Sequence, residues 1–223
     1  MPPKKTANFA YLLIGLLFIL VAGPVFYEFT EYSPSLVWQI TFSLTLVTGI
    51  WSLIENRRWF LAGIALVASD VVLTAYAVAT GSVAAETITT FLELGFIALT
   101  LVFALEHVLF GRGMDVNRIT GAICVYMLLG IFIGMLNHLV YRWIPGAFNG
   151  IDVNDVRTEG FTLIYYSFVT MSTLGYGDIT PESPLARVVA YLAAIAGQFY
   201  IAILVAMVVG QYLSQASETD NNE

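Results

Sequence analysis

Charge is scarce in this chain. Of its 223 residues 11% are charged and 58% are hydrophobic, whereas soluble domains carry about 25% charged residues. So little charge cannot cover a water-exposed surface, which argues against a soluble enzyme. The net charge of -7 argues against nucleic acid or another polyanion as partner. Cysteine is nearly absent: Cys124 stands alone, which excludes a disulfide framework within the chain and makes it core filler. Histidine is as rare. His107 and His138 lie near the ends of separate apolar runs, with no ligand cluster around either, so they read as interfacial polar residues and not as a metal site. No zinc spacing and no substrate-accessible carboxylate pair is visible, and no enzyme or cofactor is expected.

Long apolar runs take up the space that charge leaves. Six of them, at residues 9–27, 34–54, 59–80, 84–110, 119–141 and 185–213, approach or exceed the roughly 20 residues that cross a bilayer. Turn-rich or charged segments separate them. A seventh run, about 160–172, is too short to cross and lies between the last two, which suggests a re-entrant segment. The expected fold class is an all-α membrane protein with six transmembrane helices and a re-entrant helix and loop between the fifth and sixth. A cleaved signal peptide is the alternative for the first run, but that run exceeds the usual 7–15-residue apolar stretch of such peptides.

Basic residues set the orientation. With the N-terminus in the cytoplasm, Lys4, Lys5, Arg57, Arg58, Arg112 and Arg118 are inside, and Arg142, Arg157 and Arg187 are outside. An even number of spans then leaves the C-terminus cytoplasmic too. The outer segments hold Glu28, Glu31, Glu86, Asp152, Asp155, Glu159, Asp178 and Glu182. Such an acidic face either concentrates cations at a pore mouth or is merely solvated.

The segment from Thr170 to Asp178 (Thr-Met-Ser-Thr-Leu-Gly-Tyr-Gly-Asp) carries the chemistry. Within it, Thr173-Leu174-Gly175-Tyr176-Gly177 follows a half-span and precedes a full span. That pattern resembles the selectivity filter of potassium channels, four TVGYG loops whose carbonyl oxygens replace an ion's water, with leucine in place of valine. The chain resembles the bacterial six-span, single-pore members, most closely over about residues 116–211. The resemblance implies K+ bound at Thr173, Leu174, Gly175 and Tyr176, with Gly177 closing the filter. It also implies Asp178, Tyr165 and Tyr166 as filter support, the two tyrosines standing where the family often has tryptophans. Val169 replaces a glutamate that some relatives carry behind the filter, so gating through a carboxyl pair there is unavailable.

The residue types fit that role. A strand alternates its carbonyls, and glycine reaches angles closed to other residues, so Gly175 and Gly177 can turn the carbonyls to one side. Leu174 and Tyr176 are then expected to pack against the supporting helix. Gly197 falls where the family's inner helix often has a hinge, and close helix packing is the alternative. Gly130 and Gly134 form a GxxxG that reads as helix packing. One filter strand per chain implies a homotetramer.

The first four runs resemble a voltage sensor in number only. Run 84–110 has no Lys or Arg, so no arginine row can move through the membrane field. Asp70 and Glu93 lie deep in their runs, either as a pH-sensitive element or as a hydrogen-bonded pair that fixes helix register. The expected domains are a voltage-sensor-like unit over 1–113, a pore domain over 114–213 and a short disordered tail over 214–223, too small for a cytosolic ligand-binding domain. Gly111–Gly113 would join the two units.

The function implied is passive, potassium-selective conduction in the cell (inner) membrane, not strongly voltage-gated. Membrane lipids and other copies of the chain are the expected partners, and K+ the only ligand. The alternatives are a weakly selective monovalent cation channel and, from another class, a secondary cation transporter. The latter predicts interrupted helices at matching places in two halves, and only one interruption is visible. For a non-conducting regulatory subunit the intact filter gives no support.

Overall fold

A computed structural model describes residues 9–29, 42, 45, 46, 49, 57–110, 116–151 and 159–220. The second expected span lies outside the described residues apart from Phe42, Thr45, Leu46 and Gly49. So do Lys4, Lys5, Glu31, Gly111–Gly113, Asp152, Asp155 and Arg157.

The described elements are helical apart from one two-residue strand pair. They are α1 (Phe9–Leu17), a π-helical turn (Phe18–Ala22), α2 (Gly23–Phe29), α3 (Arg57–Thr80), α4 (Val83–Phe110), α5 (Val116–Trp143), α6 (Glu159–Met171) and α7 (Pro184–Asp220). Five stretches are long and apolar enough to cross a membrane: Phe9–Phe26, Phe60–Thr80, Ala84–Phe110, Val116–Trp143 and Pro184–Met207. They coincide with five of the six expected spans.

Local chemistry sets the boundaries. The π turn ends two residues before Pro24, whose missing N–H leaves a carbonyl one turn earlier without its donor. Helix α3 stops at Gly81, whose φ of 64° is the left-handed cap conformation. Ser82 then starts α4 by accepting the Ala85 N–H on its hydroxyl at 3.4 Å. Ser183 does the same for Ala186 at 3.1 Å, with Pro184 in the first helical position. At its far end α7 continues through Asp220, so the tail expected to be disordered from Ser214 prolongs the helix. Beyond Gly210 the chain has no glycine or proline to break the run.

Helix α5 is the central post. Helix α1 docks on it where the Phe9 ring lies against Gly121, with the Phe9 N–H donated to Asn117 Oδ1 at 3.0 Å. Helix α4 covers another face and α6 a third, and their joint core includes Phe9, Phe96, Phe103, Leu128, Ile131, Met135 and Ile164. Strands β1 (Phe148–Asn149) and β2 (Thr180–Pro181) pair antiparallel, Phe148 opposite Pro181.

Candidate functional site: the loop after α6

Helix α6 has 13 residues, or about 20 Å at 1.5 Å per residue, too short for a hydrocarbon core of about 30 Å. Its seat on α5 is cut by the two glycines of the GxxxG. A Cβ at Gly130 would overlap the Phe168 ring, and one at Gly134 would lie 2.8 Å from the Ile164 Cα. The motif therefore packs helices, as its spacing suggests, and its partner is α6. Between these contacts the fully buried Ser167 donates its hydroxyl to the Gly130 carbonyl at 2.6 Å, with the Ile164 carbonyl at 2.7 Å as a second acceptor. Ser167 is one of three serine or threonine residues in the mostly apolar half-span, with Thr162 and Thr170.

The chain then folds back over the end of α6. The Val169 carbonyl accepts the N–H groups of Leu174 at 3.1 Å and Gly175 at 3.3 Å, and the Ser172 hydroxyl at 3.2 Å. One helix-end carbonyl, which would otherwise lack a partner, thus organises the loop. Three alternate residues take positive φ: Thr173 at 59°, Gly175 at 55° and Gly177 at 79°, while Leu174 and Tyr176 do not. Alternation in the sign of φ turns successive peptide units the same way, as in anion-binding nests, so their carbonyls can share one side. The glycines were expected to do this, but Thr173 was not. A β-branched residue with positive φ costs about 1–3 kcal/mol, and such strain collects at functional sites.

The flanks hold the loop taut. Tyr165 donates its hydroxyl to Asp178 Oδ2 at 2.7 Å. This bond, together with the carboxylate's charge, raises the Tyr165 hydroxyl above the ordinary tyrosine range. Tyr166 has a different job. It is buried, and its ring meets Phe148 edge-on at 5.5 Å. Behind Asp178, Gly150 has φ of 87°, and a Cβ there would overlap the Asp178 carbonyl oxygen. The exit from the loop is pinned where Glu182 and Ser183 donate their N–H groups to the Ala147 carbonyl at 2.8 and 3.2 Å.

Four sequence expectations need restating. Leu174 and Tyr176 are left largely uncovered by their own chain, at 55% and 66% exposure. Gly197 lies inside the unbroken α7, where a Cβ would overlap the Met171 carbonyl, as the close-packing alternative requires. Asp70 and Glu93 are both buried, at 1% and 4% exposure. Yet among the described residues neither Asp70 carboxylate oxygen has a hydrogen-bond partner, so the two are not a hydrogen-bonded pair. Finally, Arg118 belongs to the structure's interior. Its guanidinium donates to the Val108 carbonyl at 2.7 Å and the Leu109 carbonyl at 3.4 Å, capping the C-terminal end of α4 where cations are favoured. Its Nη2 also lies 3.8 Å from Met207 Sδ on α7.

Among the described residues no group of three His, Cys, Asp or Glu could hold a metal ion. Residues 171–177 contain no carboxylate or basic side chain. The loop can therefore offer an ion only backbone dipoles and hydroxyls.

Residues 121–214 match a protein-family model described as an ion channel, the stretch that contains α6, the loop and α7. Over 66 residues the chain is 40% identical to potassium voltage-gated channel subfamily A member 10 of Mus musculus and, equally, of Homo sapiens. Those matches cover 29% of this chain and 12% of each mammalian protein. It is 30% identical over 112 residues to two-pore potassium channel 2 of Arabidopsis thaliana, covering 48% of this chain and 23% of the plant protein. The chain thus spans less than a quarter of the length of the curated relatives it matches. No solved structure matches it.

Proposed function

We propose that the chain is one subunit of a potassium-selective channel, with no catalytic step. Four copies surround an axis, and each contributes the carbonyls of Thr173, Leu174, Gly175 and Tyr176 and the Thr173 hydroxyl to a column of oxygens that replaces the water of K+. Gly177 and Asp178 close the outer end, and Tyr165 braces it. The observation that carries this reading is the alternation of positive φ at Thr173, Gly175 and Gly177 directly after a half-length helix. The exposure of Leu174 and Tyr176 fits a ring in which a neighbouring copy covers them. The identity to potassium channels supports K+ as the permeant ion.

In this reading α6 and its loop dip into the membrane from the outer face, and six spans place both termini in the cytoplasm of a cell (inner) membrane. The unit before α5 carries no arginine row, so opening depends only weakly on voltage. The deciding experiment places the full chain in liposomes under opposed K+ and Na+ gradients. A reversal potential near the K+ equilibrium value is expected, and Tyr176→Asp should move it toward zero. A wild-type value near zero would instead identify a weakly selective cation channel.

A further inference from the structure

Among the described residues, sulfur is enclosed nearly everywhere. Cys124, Met127, Met135 and Met171 are at most 8% exposed. Met207, the last residue of the apolar stretch of α7, is only partly buried. It lines a partly open pocket of about 70 Å³ between α4, α5 and α7, well above the roughly 10–15 Å³ that admits a water-sized molecule. Val108, Ala122 and Leu204 stand around the same pocket, and the Arg118 side chain forms part of its wall.

Arg118 Nη2 lies 3.8 Å from Met207 Sδ. A thioether is a weak acceptor, so this contact contributes little beside the two α4 carbonyls that the guanidinium holds. Oxidation replaces the weak acceptor with a strong one. A sulfur lone pair attacks one oxygen of hydrogen peroxide, the S–O bond forms and the O–O bond breaks. The departing hydroxide takes the proton of the transferred oxygen and leaves as water. Sulfur is oxidised and the peroxide reduced. Guanidinium N–H groups beside the sulfur steady the negative charge on the departing oxygen.

A sulfoxide in an apolar core is ordinarily disruptive. At Met207 the new oxygen forms beside a cationic donor, and a hydrogen bond from a charged donor is about twice as strong as a neutral one.

We propose that Met207 is a peroxide-oxidation site whose sulfoxide oxygen accepts a hydrogen bond from Arg118 and clasps α7 to α5. Peroxide enters through the pocket, so the oxygen is delivered on the side that Arg118 lines. The reaction is selective because the other described sulfurs are enclosed. The clasp restrains α7 and slows its exchange between open and closed arrangements; this last step rests on the channel reading above.

The test treats the detergent-solubilised full chain with hydrogen peroxide and locates the added oxygen by mass spectrometry of its peptides. Met207 is expected to gain oxygen roughly tenfold faster than Met127, Met135 or Met171, because susceptibility follows exposure. Equal rates would overturn the site. The melting temperature of the oxidised chain should rise, and should return after methionine sulfoxide reductases remove both epimers. An unchanged or lower melting temperature would make the change a mere lesion and overturn the clasp.

Met207→Leu should abolish the shift. Met1 and Met114 lie outside the described residues, and Met114→Leu should respond as the wild type does. Arg118→Lys keeps the charge without the planar fork and should lose most of the rise. Should that variant not fold, the Met207→Leu comparison still decides.

Single-channel recording in a planar bilayer reads the last step. Switching between open and closed levels should slow several-fold after oxidation of the wild type and not of Met207→Leu. Unchanged switching with a raised melting temperature would overturn the effect on opening. Untreated current without K+ selectivity would overturn the channel reading instead, and the mass and melting results would stand apart from it.

Discussion

The Tyr165 hydroxyl reaches over the whole filter-like loop to donate to Asp178 Oδ2 at 2.7 Å. The bond joins the middle of α6 to the residue where the loop ends, so the segment from Thr173 to Gly177 lies inside a closed bracket. Its lower arm is the Val169 carbonyl, and its upper arm is this bond.

Removing the upper arm should loosen the bracket without altering its ligands. Tyr165→Phe is expected to hasten the decay of K+ current several-fold while the reversal potential stays put. Asp178→Ala should do the same, and the double variant should decay no faster than either single one, because both remove one interaction. Additive effects in such a cycle would show that the two residues act separately.

Gly197 gives a contrast between seat and hinge. Gly197→Ala forces a methyl group against the Met171 carbonyl, a backbone atom that cannot swing aside, and should cost about 1–3 kcal/mol by overpacking. Gly210 has open space where its Cβ would be, so Gly210→Ala should be neutral, or stabilising by up to about 1 kcal/mol through helix propensity. Thermal unfolding of the detergent-solubilised chain reads both. If Gly197 acted only as a hinge, its substitution would change channel opening and leave the melting temperature alone.

Ser167 is a buried anchor with a single proton to give. Ser167→Ala should destabilise the chain by about 0.5–1.5 kcal/mol, the net worth of such a bond, and should leave the reversal potential unaltered. A melting temperature equal to wild type would mean that the Gly130 carbonyl finds another donor.

Asp70 should behave in the opposite sense. A buried polar group without a partner costs about 1–3 kcal/mol, so Asp70→Leu is expected to raise the melting temperature. A lower one would reveal a partner that forms only in the assembled protein.

Much of the architecture was legible in the sequence because the bilayer leaves few choices. Apolar run lengths located five helices, and the turn-rich segments between them marked ends through backbone chemistry that depends on neighbours alone. Gly175 and Gly177 announced their angles in the same way. The left-handed Thr173 was hidden, because nothing local favours that angle in a β-branched residue and only the folded loop imposes it. The Val169 carbonyl was hidden for a related reason: a backbone acceptor has no residue type to betray it. Its position in the apolar run put Asp70 deep, but could not say that no donor among the described residues would meet it there. The polar residues after Ser214 looked like a solvated tail, although polarity does not forbid a helix that is already under way.

The guanidinium of Arg118 is shared by three helices. It grows from α5, holds the last carbonyls of α4 and touches Met207 of α7. It therefore works as a rivet through all three. A push on the lower end of α4 is handed to α7 within a single side chain's reach, with no lever arm in between.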